Sequence, residues 1–480
     1  MAHCLLPMEI RKACQQFEAR YHVCMRANKF LWLFVSFCLI ASVVRGGVIF
    51  TSLFSFNGTT GGNPEAALIQ GKDGFLYGTA EYGGSNFTAT FTGDGTAFKI
   101  TTNGAFTPLV YFNGANGLNP RAGLVQTTNG DFYGTTYQNG GGSVFRMAAN
   151  GSLTNIVWFN SSGSAPASKV TIGTDGNLYG TLSAGGANSK GAIFRTTTNG
   201  ANIILASFDG SNGRIPQSPL VLATDGNFYG TAGSGGLNNL GTVFRVTPTG
   251  TISNLLSFAG SNGASPYAGL IQAVDGYLYG TTESGGSFSL GTVFRIDTNG
   301  VLNTLVSFNG TNGANPWNGL IQASDDNFYG VTAYGGTGFS GTLSGNGTIF
   351  KMTTNGSLTT LFSFNVTNGL RPSGELVQST DGNFYGTTAS GGTNQGWGNI
   401  FKFSIPPPPS FQNIIQTNGS LIFFWQAVTG QTYQVQYNSN LNTTNWNNFG
   451  SAFTATNKTV TNTDNSLSDN SRFYRILMLP

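Results

Sequence analysis

Residues 269–286 read Gly-Leu-Ile-Gln-Ala-Val-Asp-Gly-Tyr-Leu-Tyr-Gly-Thr-Thr-Glu-Ser-Gly-Gly and continue through Val-Phe-Arg-Ile-Asp-Thr-Asn-Gly (293–300) to Thr-Leu-Val-Ser-Phe (304–308). Most of the chain is built from repeats of this unit. A period near 50 residues is typical of propellers and solenoids. The tyrosine of the Tyr-Gly pair marks the seven repeats, at Tyr77, Tyr133, Tyr179, Tyr229, Tyr279, Tyr329 and Tyr385.

Each unit contains four short strand-like runs separated by turn signals. In the unit quoted above the runs are 270–274, 277–282, 291–297 and 301–308, which we name strands a, b, c and d. Asp275-Gly276 and Asn299-Gly300 supply dipeptides that tolerate the positive φ angles of tight hairpin turns. Four antiparallel strands of this length predict one blade of a β-propeller.

The ends of the repeat region predict how it closes. Residues 48–56 match strand d with no a, b or c before them, whereas 375–404 supply a, b and c and then meet four prolines at 406–409. Proline donates no backbone hydrogen bond, so this run cannot continue a sheet interior. The offset predicts an all-β fold, a seven-bladed β-propeller over residues 47–404 that is closed by its N-terminal strand. An open solenoid is the alternative, but it would need atypical polar caps.

Residues 1–46 are expected to be a leader and secretory signal peptide. Arg26 and Lys29 precede an uncharged, mostly apolar run at 30–44, which is shorter than the roughly 20 residues that span a bilayer. Val44-Arg45-Gly46 suits a cleavage site, the start is either Met1 or Met25, and an uncleaved anchor helix is the alternative. We therefore expect a secreted or cell-surface protein whose mature chain has no membrane span.

All cysteines and histidines precede that cleavage site. The expected mature chain therefore lacks the residues for Ser-His-Asp and Cys-His catalysis, for zinc sites built on imidazole or thiolate, and for histidine- or cysteine-ligated haem. We expect no cofactor, no metal and no disulfide. The residues concerned are Cys4, Cys14, Cys24, Cys38, His3 and His22.

The charge balance argues against nucleic-acid binding. The formal net charge is +3, but six of the 22 basic residues and two of the 19 acidic residues lie in the first 46 positions. Residues 47–480 then hold 16 basic and 17 acidic side chains. Nucleic-acid binding needs a clustered positive surface that displaces counterions from phosphates. We expect a monomer whose partner is an extracellular glycan or an envelope protein.

One rim of the predicted propeller carries longer, varied loops. In an up-and-down blade the b–c and d–a connections share this rim, while the a–b turns, with their repeated aspartates, are tight and leave no room for a ligand. Sequence variation on a fixed frame is where binding specificity usually lies. The alternative is that the varied residues form an ordinary surface. The candidate ligand-binding residues are Tyr82, Tyr267, Trp317 and Tyr334 for stacking, and Glu65, Arg121 and Glu283 for polar groups.

The repeat resembles the GloVer tandem repeat of bacterial surface and secreted proteins. The resemblance rests on Asp-Gly-Asn-Phe-Tyr-Gly-Thr-Thr, Gly-Gly, Gly-Thr-Val-Phe-Arg, Thr-Asn-Gly and Ser-Phe-x-Gly, and it covers roughly residues 48–404. The Gly-Gly doublet and the period are also similar to those of kelch propellers. The resemblance implies an exported protein and no particular biochemical activity.

The last part of the chain changes character. After a proline linker at 405–409, residues 410–480 contain Trp425, Tyr433, Tyr437 and Tyr474 among alternating apolar residues, a pattern typical of strands. The run Gln-Thr-Tyr-Gln-Val-Gln-Tyr at 431–437 resembles fibronectin type III or immunoglobulin-like modules. We expect a small β-sandwich here.

Three functions are compatible with this sequence. The first is a non-catalytic binding or scaffold protein that holds a glycan or protein ligand on the varied rim. The second is a polysaccharide lyase or glycosidase that works with carboxylates and tyrosine; it needs paired carboxylates about 5 to 9 Å apart, and Glu65, Glu81 and Glu283 are the glutamates of that rim. The third is a purely structural surface protein. We favour the first.

Overall fold

The structure is a computed structural model that describes residues 23–24, 38–39, 48–88, 92–137, 141–159, 163–341, 343–394, 396–406, 409–417, 420–439, 445–465 and 472–479. Most of the predicted leader and signal, with its cleavage site, lies outside the described residues; the short strands Val23–Cys24 and Cys38–Leu39 pair with each other. The described residues form strands and no helix, which confirms the all-β prediction. None of them forms a helix suited to crossing a membrane.

The chain divides into two compact units, 50–403 and 1–49 together with 404–480. The repeat unit is a propeller-like series of small antiparallel sheets. We number the sheets 1 to 7 in the order of their b strands. Their strands a to d are, for sheet 1, Ile69–Gln70, Leu76–Ala80, Thr96–Ile100 and Phe106–Tyr111; for sheet 2, Val125–Gln126, Phe132–Thr136, Ser143–Met147 and Leu153–Trp158; for sheet 3, Thr171–Ile172, Leu178–Leu182, Ala192–Thr196 and Asn202–Ser207; and for sheet 4, Val221–Leu222, Phe228–Ala232, Thr242–Val246 and Ile252–Ser257.

The remaining sheets follow the same order, with one addition at the end. Sheet 7 takes its fourth strand from the start of the repeat region and carries a further short strand, Leu370–Pro372. A separate two-stranded pair joins Gly163–Ser164 to Ala184–Gly185. The strands are, for sheet 5, Ile271–Gln272, Leu278–Thr282, Thr292–Ile296 and Leu302–Ser307; for sheet 6, Ile321–Gln322, Phe328–Thr332, Thr348–Met352 and Leu358–Ser363; and for sheet 7, Val377–Gln378, Phe384–Ser390, Asn399–Ser404 and Ile49–Ser55.

The Tyr-Gly pair has a packing reason. Strand b is buried along its whole length, and a Cβ at Gly280 would lie 2.7 Å from both Leu270 Cδ2 and Phe294 Cζ. Only glycine therefore lets the phenylalanine of strand c cross strand b. The hydroxyl of the buried Tyr279 donates to Asp275 Oδ2 at 2.7 Å, so the tyrosine can be buried without losing its hydrogen bond.

The repeated aspartates hold the a–b turns, as expected. Asp225 shows the pattern: Oδ1 accepts from the Asn227 amide at 3.0 Å, and Oδ2 accepts from the Tyr229 hydroxyl at 2.6 Å. A strand-c cation joins one of these turns: Lys351 bonds within its own sheet, with Nζ 2.8 Å from Asp325 Oδ2. The same Tyr-Asp bond occurs at Tyr77–Asp73, Tyr179–Asp175, Tyr279–Asp275, Tyr329–Asp325 and Tyr385–Asp381.

Neighbouring sheets are joined by the threonine that follows the Tyr-Gly pair. Its buried hydroxyl donates to a backbone carbonyl in the d–a loop leading into the next sheet. Sheet 6 carries Val331 at this position, and valine has no such donor. The bonds are Thr79 to Ala122, Thr135 to Ser168, Thr181 to Ser218, Thr231 to Ala268, Thr281 to Asn318 and, from sheet 7 back to sheet 1, Thr387 to Ala66.

Strand Ile49–Ser55 lies beside strand c of sheet 7. The Phe56 amide donates to the Gly398 carbonyl at 3.0 Å, and Ser55 Oγ donates to Asn399 Oδ1 at 2.8 Å. Phe50 packs against Phe401 with ring centroids 5.4 Å apart. The first strand of the repeat region therefore shares a core with its last strands.

The second unit contains two sheets with a common core. One sheet has the order Phe411–Thr417, Ser420–Gln426, Thr459–Asp464; in the other, Thr432–Asn438 pairs with Asn447–Asn448, Phe453–Thr454 and Phe473–Leu479. Phe423 and Trp425 from the first sheet meet Tyr433 and Tyr474 from the second in one buried cluster. Buried Asp464 accepts a 2.6 Å bond from Arg472 Nη1 and a bond from the Tyr474 hydroxyl.

Candidate functional site

The d–a loops turn sharply just before a recurring proline. In each repeat the residue before that proline has a left-handed backbone, with φ between 52° and 60°, a region that most side chains avoid. The carbonyl of Asn63, for example, accepts from the Glu81 amide at the end of strand b. This turn fixes the residue after the proline at the rim. The left-handed residues are Asn63, Asn119, Ala165, Ile215, Ser265, Asn315 and Arg371.

The residues after these prolines meet around one depression, which we call the rim depression. Its volume is about 360 Å³ and it is open to solvent. Loops from every repeat contribute to it, together with Glu283, which directly follows strand b of sheet 5. The lining residues are Glu65, Arg121, Ala167, Gln217, Tyr267, Glu283, Trp317, Asn318 and Ser373.

Five of the seven candidate residues chosen from the sequence line this depression: Glu65, Arg121, Tyr267, Glu283 and Trp317. The other two, Tyr334 and Tyr82, do not line it. Tyr334 contacts the Trp317 ring edge to face, with centroids 5.6 Å apart. Tyr82 hydrogen-bonds to Glu81.

Arg121 is shared between two carboxylates from sheet 1. Its Nη2 lies 3.2 Å from Glu65 Oε2, and its Nε lies 3.2 Å from Glu81 Oε1. The guanidinium also sits over the Tyr137 ring, 4.9 Å from the centroid. Asn63 Nδ2 donates to Glu81 Oε2 at 2.7 Å. All of these contacts fix Arg121 in one position.

Burial opposes the charge on Glu81. Its side chain is only 6% exposed, and burial, followed by the nearby charge of Glu65, raises the pKa of Glu81 despite the opposing effect of Arg121. Burial lowers the pKa of Arg121, but the two glutamates outweigh it, so the pKa of Arg121 is raised. The guanidinium therefore stays charged and neutralises part of this acidic pair.

The first polar centre of the depression is Arg121 with Glu65 and Glu81, and Glu283 forms the second. Its Oε1 accepts a 3.1 Å bond from Trp317 Nε1, and its backbone carbonyl accepts a 3.1 Å bond from Asn315 Nδ2. Burial raises the pKa of Glu283, and the bond from Trp317 opposes that shift. Burial and then the charge of Glu283 raise the pKa of Tyr267. Glu283, Trp317 and Tyr267 therefore form one electrostatic group.

The same cross-sheet register produces both centres. The residue that directly follows strand b lies against the residue after the proline of the next sheet. Glu81 meets Arg121 in this way, and Glu283 meets Trp317. Gly233 meets Tyr267, because a Cβ at Gly233 would lie 2.1 Å from Tyr267 Cε1. The small residue at that position leaves room for the tyrosine ring.

Sequence analysis missed the floor below the depression. Lys169 and Glu375, two residues farther along their loops, form an ion pair with Nζ 2.7 Å from Oε2. The equivalent positions of other repeats hold small residues or proline, such as Gly269, Gly319 and Pro219. A charged residue at a position that is otherwise small was the signal that could have identified both.

The described residues offer no obvious metal site, since no three histidine, cysteine, aspartate or glutamate side chains among them converge. The ionisable groups of the depression and its floor are carboxylates, the Tyr267 hydroxyl, one guanidinium and one ammonium. Such a surface can bind polar ligands through hydrogen bonds and can stack rings on Tyr267 and Trp317.

The model of the Gloeobacter/Verrucomicrobia repeat matches the chain over residues 39–236 and again over 217–456. This chain belongs to the Gloeobacter/Verrucomicrobia repeat family. The two matches together include all the sheets of the repeat unit. None of the curated proteins compared with the chain matches it significantly.

Solved structures resemble the chain only distantly. A fungal alcohol oxidase in complex with copper shares 12% identity over 90% of this chain and 93% of its own, with a TM-score of 0.49. Puromycin hydrolase shares 14% identity over 78% and 60%, with a TM-score of 0.49. A Bacteroides uniformis protein described as a 6-phosphogluconolactonase shares 17% identity over 62% and 84%, with a TM-score of 0.44. At this distance none of their activities transfers to this chain.

Proposed function

We propose that this member of the repeat family is a secreted or cell-surface binding protein without catalytic activity, which holds a glycan or protein ligand in the rim depression. One observation carries the proposal: the variable residues that follow the recurring prolines meet in a single depression, although about 50 residues separate them along the chain. Convergence of variable side chains on a repeated frame is typical of ligand sites.

We infer further that the repeat unit is a closed seven-bladed propeller. The bonds between sheets support this, since Thr387 of sheet 7 bonds to the Ala66 carbonyl of sheet 1 as each earlier threonine does to the sheet that follows it. On the opposite rim, the Thr380 amide donates to Gln70 Oε1 at 2.9 Å. Closure would also leave no free sheet edge, which is a common cause of aggregation.

The placement of the second unit's two sheets supports a small β-sandwich of the fibronectin type III or immunoglobulin kind. The apolar run at 30–44 supports export. Both statements are part of the proposal, and neither identifies the ligand.

The contacts of the rim glutamates favour binding over hydrolysis. Glu65 and Glu81 both contact Arg121, so their carboxylates lie at most about 9 Å apart, which does not exceed the separations that glycosidases use. Glu81, however, is 5% exposed and is held by Asn63 and Arg121. A carboxylate buried in this way has no open path to a glycosidic oxygen. A lyase or glycosidase remains the second hypothesis, and a purely structural role the third.

The test is capture of envelope glycans and proteins by the full mature chain. We expect Trp317→Ala to weaken binding about fivefold, because an aromatic contact contributes roughly 1 kcal/mol. Trp158→Ala is the matched control, since Trp158 is 46% exposed on strand d of sheet 2 and does not line the depression. If a glycan array and a pull-down reveal no ligand that Trp317→Ala weakens, the proposal fails. Release of shortened glycans would favour the hydrolytic alternative.

A further inference from the structure

The charged groups of the rim depression and its floor are unevenly paired. Both cations already have acidic partners: Arg121 contacts Glu65 and Glu81, and Lys169 contacts Glu375. Among the described residues, no cationic side chain lies within 4.0 Å of Glu283. The depression and its floor therefore carry more negative than positive charge: one excess carboxylate belongs to the group of Glu65, Glu81 and Arg121, and Glu283 is the carboxylate that has no cation beside it.

Glu283 is held in place but not neutralised. Trp317 Nε1 donates to its Oε1 at 3.1 Å, and its backbone amide donates to the Ser265 carbonyl at 3.1 Å. Its Oε2 has no hydrogen-bond or ion-pair partner among the described residues. A partly buried carboxylate is costly unless its oxygens receive hydrogen bonds. A ligand that brings a charged donor would offset this cost.

Aromatic rings flank this carboxylate. Trp317 is bonded to it directly, and Tyr334 packs edge to face against Trp317. Tyr267 also lines the depression and lies close enough for the charge of Glu283 to act on it. A carboxylate beside tryptophan and tyrosine is a combination that favours an alkylammonium group, because the ring faces attract cations.

Neutral polar groups complete the lining. Gln217 and Asn318 line the depression. Ser373 lines it too, but its hydroxyl is buried. The amides of Gln217 and Asn318 can bind the hydroxyls of a sugar ring, whereas a lysine side chain would leave them unused.

We propose that the rim depression binds a glycan containing an amino sugar whose amine is free and protonated, with the ammonium group at Glu283 and the sugar beside Trp317 and Tyr267. This inference rests on the proposed function and adds the chemical class of the ligand. It also predicts that N-acetylation, which removes the charge and adds bulk, weakens binding.

The test compares a glucosamine tetrasaccharide with its fully N-acetylated form, titrated calorimetrically against the full mature chain at slightly acidic pH and low salt. We expect the free-amine form to bind at least tenfold more tightly. Glu283→Gln should abolish that preference while keeping an oxygen that can accept from Trp317 Nε1. Asp326→Asn is the matched control; it removes one negative charge at an exposed turn on the opposite rim, where a left-handed φ of 60° suits asparagine, and it should preserve the preference.

Three outcomes would overturn the inference. If the two tetrasaccharides bind equally and Trp317→Ala weakens the binding of both, the rim site is supported but recognition of the free amine is refuted. If neither tetrasaccharide binds, the amino-sugar ligand is refuted. The glycan array and pull-down described above then test separately whether the rim depression is a binding site. A third probe is a lysine with blocked backbone ends and a free side-chain amine. If it binds as tightly as the free-amine tetrasaccharide and Glu283→Gln weakens that binding, the ligand is a protein and not an amino sugar.

Discussion

Lys169 Nζ lies 2.7 Å from Glu375 Oε2, although 206 positions separate the two residues. They come from the loops before sheets 3 and 7. A Cβ at Gly319 would lie 2.7 Å from Glu375 Oε1, so the same carboxylate rests on the loop before sheet 6. The ion pair therefore joins loops from distant repeats at the floor of the depression.

Loss of this pair should cost a modest amount of stability. The side chains of Lys169 and Glu375 are 33% and 18% exposed, and partly exposed pairs contribute roughly 1 kcal/mol or less. We expect Glu375→Gln to lower the free energy of unfolding by about that much in urea titrations, and less at high salt. The charge swap Lys169→Glu with Glu375→Lys should recover part of the loss. An unchanged midpoint in Glu375→Gln would show that solvent screens the pair.

The tyrosine–aspartate bonds predict an alkaline limit to stability. Burial, then the hydrogen bond to aspartate, raises the pKa of Tyr229 to about 12, and that of Tyr279 is raised to about 12 for the same reasons. The pKa of each tyrosine in the folded state exceeds its unfolded value near 10. The stability that these two tyrosines contribute is therefore fully present below about pH 10 and is lost as the pH rises through about 12. Urea midpoints measured across this range, with phenolate absorbance, test it.

Tyr229→Phe provides the control for that experiment. The variant should be less stable near neutral pH by about 1.5 to 3 kcal/mol, because it removes a hydrogen bond to a charged group. Its alkaline loss of stability should be smaller than that of the wild type. If all tyrosines ionise near pH 10 while the fold persists, the Tyr229 and Tyr279 hydroxyls are not buried as described here.

Ile215 is a site where the sequence opposes the backbone. It has φ of +55°, which is costly for a β-branched residue, whereas the same turn carries asparagine at positions 63, 119 and 315. Ile215→Asn should raise the free energy of unfolding by roughly 1 kcal/mol. Asn315→Ile should have the opposite effect. Thermal unfolding of both variants measures the difference, and a destabilised Ile215→Asn would mean that packing of the isoleucine outweighs its strain.

The glycine after the tyrosine should tolerate no side chain. Gly280→Ala would place a methyl group 2.7 Å from Leu270 Cδ2 and Phe294 Cζ, and such overpacking costs about 1 to 3 kcal/mol. Chemical denaturation should show this loss. Val274→Ala, at a residue that is 81% exposed, is the control and should change little. A Gly280→Ala protein as stable as the wild type would show that the b and c strands can separate without cost.

Local features of the sequence predicted the sheets well. Strands 277–282 and 301–308 were predicted, and the structure has Leu278–Thr282 and Leu302–Ser307, because alternating apolar residues and Asp-Gly or Asn-Gly turns act over a few positions. Strand a is shorter than predicted, with Ile271–Gln272 in place of 270–274. The Ala273 carbonyl accepts from the Gly276 amide in the turn, which ends regular pairing early.

Contacts between repeats could not be predicted in the same way. The bond from Trp317 to Glu283 and the ion pair between Arg121 and Glu81 depend on the stagger of neighbouring sheets, which no short sequence pattern encodes. Glu81 was expected to be a polar rim residue, but Asn63 and Arg121 draw it into a buried position.

The central claim is that strand Ile49–Ser55 completes sheet 7 and so brings the variable loops together. The most direct measurement compares thermal unfolding and solubility of a protein beginning at residue 47 with those of one beginning at residue 58. The account predicts that the shorter protein melts at a markedly lower temperature or aggregates, and that adding a peptide of residues 47–57 restores part of the loss. Equal melting temperature and solubility of the two proteins would contradict it.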